Sequence, residues 1–98
     1  MGGSGIGTNP EQLFAAGWAA CFSGALGLVA RSQKVDVSDV SVTAEVSLAK
    51  GDDGFSLAAT LRVELHGEVG RRLVEAAHAT CPYSKATRGN IPVELVIE

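Results

Sequence analysis

The segment TNPEQLFAAGWAACFSGALGLVA, Thr8 to Ala30, reads either as a membrane span or as the core helix of a globular domain. Its start is well marked. Asn9 can cap a helix, Pro10 suits the first helical position, Glu11 favours the positive end of the dipole, and Gln12 can close a capping box. The helix is expected to begin at Asn9 or Pro10. No charge occurs from Leu13 to Ala30, eighteen residues, which touches the lower limit of about 18 for crossing a bilayer. Most of the run is Ala, Gly and Ser, and Leu13, Phe14, Trp18, Phe22, Leu26, Leu28 and Val29 alone would make insertion marginal. A helix apolar all round is otherwise one buried on every side. Small residues at Ala16, Gly17, Ala20, Gly24 and Gly27 would let other backbones approach it. The preferred reading is a central helix in an assembly, with no membrane partner.

Downstream, Arg31 to Asp39 restores charge and reads as a connection. Val40, Val42, Ala44, Val46 and Leu48 then alternate with Ser41, Thr43, Glu45, Ser47 and Ala49, the period of a strand with one buried face. Lys50 to Gly54 has the Gly and Asp content of a hairpin loop. The return strand would point Phe55, Leu57, Ala59, Leu61, Val63 and Leu65 inward. Glu68 to Thr80 carries Val69, Leu73, Ala76, Ala77 and Thr80 at helical spacing, and Cys81-Pro82 should stop it. A short helix can restart over Pro82 to Thr87 with Cys81 as its cap. Ile91, Val93, Leu95 and Ile97 alternate again, and Pro92 near their start suggests an edge strand or a strand end. Three strands and two to three helices predict an α+β layer structure.

The chain has 98 residues, 46% of them hydrophobic and 19% charged, so one ordered domain is expected over 1–98, with 1–7 as a glycine-rich loop or tail. A net charge of −3 and scattered Lys and Arg offer no basic stripe for a phosphate backbone, so nucleic acid is not an expected partner. Two cysteines are too few for a disulfide scaffold. Cys21 sits in the most apolar segment, where a free thiol is ordinarily a small buried hydrophobe. Cys81 would feel the positive end of the following helix, which lowers a thiol pKa, and on that ground it is the better nucleophile. His78 and Cys81, three apart, share a helix face, although a histidine there also suits the helix C-terminus. A zinc site of Cys21, Cys81, His66 and His78 lacks any closely spaced cysteine pair, and no metal or other cofactor is expected. A chain this short, with twelve glycines, favours oligomerisation.

Three stretches carry a resemblance: Gly7 to Gly17 (GTNPEQLFAAG), Ala19-Ala20-Cys21-Phe22, and Cys81 to Asn90 (CPYSKATRGN). Together they resemble the organic hydroperoxide resistance branch of the OsmC-like family, and the resemblance extends from Gly2 over essentially the whole chain. It implies the two-layer fold of that family, with a long central helix on an antiparallel sheet, and an intertwined homodimer. It further implies a thiol peroxidase acting on organic hydroperoxides, reset by a lipoylated protein or dihydrolipoamide. The motif position at Cys21 would be the peroxidatic cysteine and Cys81 the resolving one, while Glu11 matches the glutamate that pairs with a catalytic arginine. Cys21 would become a sulfenic acid, which Cys81 would capture as a disulfide. Leu13, Phe14, Trp18 and Phe22 would suit an organic tail. A cycling disulfide needs a dithiol donor and no export signal is visible, so the cytoplasm is expected.

Three departures accompany the resemblance. The family's catalytic arginine belongs to strands ahead of the glycine-rich loop, where this chain begins, so a shortened form is expected. Without that cation, desolvation would raise the Cys21 pKa and slow attack, with Arg88, Lys85 and Arg31 as candidate substitutes. Glu11 and Cys21 are ten residues apart, about 15 Å along a straight helix, and cannot touch within it. Trp18 stands where the family more often has tyrosine, keeping an aromatic body with a polar tip. The competing class is a non-catalytic dimeric scaffold or binding module with a reversible disulfide.

Overall fold

In a computed structural model of the chain, which describes residues 9–65 and 67–98, helix α1 runs Pro10–Ser32. The expected tail at 1–7 and His66 of the alternative zinc set lie outside the described residues. The capping box forms as read: the Gln12 N–H donates to Asn9 Oδ1 at 2.8 Å, and the Asn9 N–H to Gln12 Oε1 at 3.4 Å. The helix extends two residues past Ala30 because its end is closed by backbone bonds. Val35 N–H reaches Ala30 O at 2.9 Å and Lys34 N–H reaches Arg31 O at 3.2 Å, with Lys34 at φ 61. That is a Schellman ending with lysine in the place usually held by glycine.

Strands β1 (Val42–Gly51) and β2 (Gly54–Val63) pair antiparallel from Val42↔Val63 to Gly51↔Gly54. The strands therefore run into the expected 50–54 loop, leaving Asp52-Asp53 as the turn and Gly54 at φ 112 to complete it. In β1 the alternation holds residue for residue, with Val42, Ala44, Val46 and Leu48 turned toward the core side and Thr43, Glu45, Ser47 and Ala49 exposed. Phe55 departs from the expected inward set. It lies at the hairpin tip, beyond the reach of α1, and is 62% exposed.

Helix α2 (Gly67–Thr80) leads directly into α3 (Pro82–Thr87) and then strand β3 (Val93–Ile97). The β3 strand pairs with β2 in parallel, Ala59↔Val93 to Val63↔Ile97, so the sheet is mixed, in the order β1-β2-β3. The expected all-antiparallel sheet is corrected by the connection: a helical crossover between two strands returns the second one parallel to the first. Pro92 precedes the strand, its carbonyl accepting from Ala59 N–H at 2.9 Å, and β3 is an edge as anticipated.

The inward face of α2 is rotated from the expected stripe. Gly70, Leu73, Val74 and Ala77 are buried, while Val69 is 42% exposed. Gly70 explains the rotation. A Cβ built there would lie 2.5 Å from the Leu65 carbonyl oxygen, so the incoming chain from β2 presses onto a bare backbone.

One hydrophobic core results, with Trp18, Phe22 and Leu26 of α1, Leu61 and Val63 of β2, Leu73, Val74 and Ala77 of α2, and Cys81. The α1 helix has the length and apolarity of a bilayer-crossing helix. Here one of its faces forms the core against the sheet and α2. Burial on every side is not met within one chain, because Leu13 is 68% and Leu28 58% exposed on the other face.

Candidate active site

The two cysteines, sixty residues apart in sequence, meet where α1 passes the junction of α2 and α3. Cys81 lies between the helices, its N–H donating to Ala77 O at 2.8 Å and its carbonyl accepting from Lys85 N–H at 2.9 Å. Both backbone groups are thereby committed, and the side chain is directed at α1. The Cys81 thiol donates to Cys21 Sγ at 3.2 Å, and neither thiol is in a disulfide. Disulfide sulfurs sit about 2.05 Å apart, so bond formation needs little more than ~1 Å of travel.

The environments of the two thiols differ. Cys81 is fully buried; it stands at the N-cap of α3 as read, but its side chain makes no hydrogen bond to that helix end. Cys21 is only partly buried. Desolvation pushes the Cys21 thiol above its ordinary range; the Tyr83 backbone N–H opposes this rise, and the Cys81 sulfur adds to it. No lysine or arginine contributes to its ionisation among the described residues. Of the candidate substitutes, Arg88 is engaged elsewhere, its Nη2 donating to His78 O at 3.0 Å at the end of α2.

An aromatic ledge flanks the sulfur pair. Phe14 lies 5.4 Å from Trp18 and 6.1 Å from Tyr83 between ring centroids, the latter pair stacked at 30°. Gly17 makes room for this: its Cβ position is 3.4 Å from Tyr83 Cε2 and Oη, so the tyrosine ring lies across the helix at that point. Trp18 is wholly buried and donates from Nε1 to Ser84 Oγ at 3.1 Å, the polar tip finding a partner as an aromatic with an N–H should. Of the expected apolar neighbours, Phe14 and Trp18 join this ledge and Phe22 joins the core, whereas Leu13 points away into the open.

Glu11 is not brought to the thiols. It lies in the first turn of an uninterrupted α1, about 15 Å of rise from Cys21. It forms no ion pair among the described residues. His78 is near Cys81 in sequence, but its Nδ1 has no hydrogen-bond partner among the described residues, and desolvation followed by the Arg88 charge lowers its pKa. Among the described residues no cluster of three or more His, Cys, Asp or Glu side chains forms a metal-binding group.

Reading from the sequence missed Tyr83 and Ser84 as parts of this site. The one local signal was their place two and three residues after Cys81, where a helix beginning at Pro82 must turn them back toward α1.

A model of the family described as OsmC-like protein matches residues 2–96. The chain belongs to the OsmC-like family. Organic hydroperoxide resistance protein OhrB of Bacillus subtilis is 53% identical over 97 residues, covering 94% of this chain and 71% of that protein, which sets the chain in the organic hydroperoxide resistance branch. The crystal structure of the Bacillus subtilis OhrB superposes with a TM-score of 0.89 at 51% identity, over 95% of this chain and 72% of that one. An organic hydroperoxide resistance protein from Legionella pneumophila matches with the same TM-score, 0.89, at 48% identity, over 99% of this chain and 74% of its own. The α+β arrangement described above is thus the OsmC-like fold.

Proposed function

We propose that the chain is a thiol peroxidase that reduces organic hydroperoxides to alcohols, with Cys21 as nucleophile and Cys81 as resolving thiol. The observation that carries this reading is the 3.2 Å approach of the two sulfurs, with the partly exposed one beside an aromatic ledge. The Cys21 thiolate attacks the distal peroxide oxygen, the O–O bond breaks, and the alkoxide leaves as the alcohol after taking a proton. The resulting sulfenic acid is attacked by the Cys81 sulfur; the S–S bond forms, the S–O bond breaks, and the hydroxyl leaves with the Cys81 proton as water. A dithiol then returns both cysteines to thiols and is itself oxidised to a disulfide. Dihydrolipoamide or a lipoylated protein fills that role in this proposal, and such a cycle belongs in the cytoplasm.

Phe14 and Tyr83 provide the apolar contact that favours a hydroperoxide with an organic tail over a small hydrated one. Glu11, one helix end away, can act only on a cation that reaches Cys21, and its part in the reaction is proposed on that basis alone. The open face of α1, with Leu13 and Leu28, supports a homodimer. One point favours the competing reading of a scaffold with a reversible disulfide: desolvation pushes the Cys21 thiol up, and no cation among the described residues offsets the shift.

Turnover separates the two. Consumption of an organic hydroperoxide with dihydrolipoamide as reductant, measured beside Cys21→Ser and Cys81→Ser, should show loss of turnover in both variants and the stronger loss of peroxide reactivity in Cys21→Ser. A parent chain no faster than a free small thiol would favour the scaffold.

A further inference from the structure

Disulfide closure depends on α3 being held still, and α3 is too short to hold itself. It spans six residues, well below the length at which a helix is stable alone. Its internal support is the Thr87 hydroxyl, which donates to Tyr83 O at 3.0 Å and Ser84 O at 3.1 Å. Its side-chain hydrogen bond to α1 is the buried one from Trp18 Nε1 to Ser84 Oγ, 3.1 Å long, between residues 0% and 1% exposed.

The spacing of this bond is informative. Trp18 precedes Cys21 by three residues, and Ser84 follows Cys81 by three. Along two segments running in opposite directions, the Trp18–Ser84 and Cys21–Cys81 contacts are therefore successive rungs about one helical turn, ~4.5 Å, apart. A rung one turn away fixes both the separation of the segments and their relative rotation, which are the two quantities a disulfide constrains through its bond length and torsion.

We propose that Trp18 and Ser84 are a positioning pair for the resolving step: their hydrogen bond holds Cys81 against Cys21 and so raises the effective concentration of one thiol at the other. Among the described residues, neither side chain hydrogen-bonds to either sulfur. The inference rests on the reading of Cys21 and Cys81 as a redox pair, but it also governs the pair's equilibrium with any thiol oxidant. When the bond is lost, the reduced chain gains freedom at α3 that closure must remove again, so the disulfide forms more slowly and is easier to reduce.

The test uses equilibration with glutathione, in which oxidised glutathione and the dithiol chain exchange with the disulfide chain and two reduced glutathiones. Ser84→Ala and Trp18→Phe should each lower that equilibrium constant by roughly two- to twelvefold, the range of one hydrogen bond of about 0.5–1.5 kcal/mol, and tenfold is about 30 mV for this two-electron couple. The double variant should fall no further than either single one, because one bond is removed in every case. Val74→Ala, a core truncation in α2 that removes no hydrogen bond between α1 and α3, should lower thermal stability without moving the glutathione equilibrium. If Ser84→Ala does not fold, Trp18→Phe carries the same expectation with an aromatic ring retained.

In single-turnover reaction with an organic hydroperoxide, the closure step of Ser84→Ala should slow several-fold more than the peroxide step, with sulfenic acid accumulating. Additive effects of the two single variants, or an equal shift in Val74→Ala, would overturn the proposal. A parent that equilibrates with glutathione as expected but ignores the hydroperoxide would refute the peroxidase reading and leave the positioning pair standing.

Discussion

Two stripes of α1, both free of charge between Leu13 and Ala30, have different fates in the fold. On one, Trp18, Phe22 and Leu26 disappear into the core. On the other, Gly17, Cys21, Gly24 and Leu28 follow one another at helical spacing: the chain covers the first two, with the Tyr83 ring over Gly17 and the Cys81 thiol on Cys21, whereas Leu28 is exposed and, among the described residues, nothing lies within 4 Å of a Cβ placed at Gly24. Apolarity therefore announces that a surface will be covered without saying by what. The sulfur pair lies where the chain covers this stripe by itself, directly beside the open part that the proposed homodimer would cover.

The largest contrast should come from truncating one side chain on each face. Phe22→Ala removes a fully buried ring and should cost about 3–5 kcal/mol of unfolding free energy, read from denaturant titration. Leu28→Ala, measured at a dilution where single chains prevail, should change stability by less than about 0.5 kcal/mol. A comparable loss in both would erase the distinction between the faces.

Gly24→Ala sharpens the comparison. With open space around the new methyl, helix propensity should stabilise the isolated chain by about 0.8–1 kcal/mol. The same methyl should weaken self-association if a partner helix approaches there, so sedimentation of Gly24→Ala at rising concentration should show fewer dimers than the parent. Gains in both stability and association would place the dimer contact elsewhere.

The smallest effect concerns the covered side. His78 has a pKa lowered from 6.5, by desolvation first and by the Arg88 charge second. The unfolded chain then binds a proton more readily than the folded one, so stability is full above about 6.5 and declines as pH falls below it toward the folded value. His78→Gln should flatten that part of the stability profile, and an unchanged slope would show that the imidazole is not shielded.

What could be read from residues alone was whatever is decided within a few positions. The Asn9–Gln12 box, the alternation of β1, and the break at Cys81-Pro82 with α3 restarting over Pro82–Thr87 are local matters, and all are found as read. What depended on distant partners was less legible. The parallel pairing of β3 follows from where two helices deposit the chain. The turn of α2 that buries Gly70 in place of Val69 follows from a carbonyl contributed by Leu65. Motif resemblance singled out the two cysteines, but it did not reveal that the Tyr83 ring lies over Gly17 and stacks on Phe14, or that Ser84 closes a bond to Trp18. Glu11 shows the opposite case, since its motif match is clear and its position leaves it about 15 Å along the helix from Cys21.

The most direct test is the intact mass of the reduced chain after one equivalent of an organic hydroperoxide, followed over time and then after dihydrolipoamide. The account predicts rapid loss of two hydrogens, a sulfenic acid that persists only in Cys81→Ser, and full return to the dithiol mass. Two thiols still reduced after the time in which a small free thiol has reacted would contradict it.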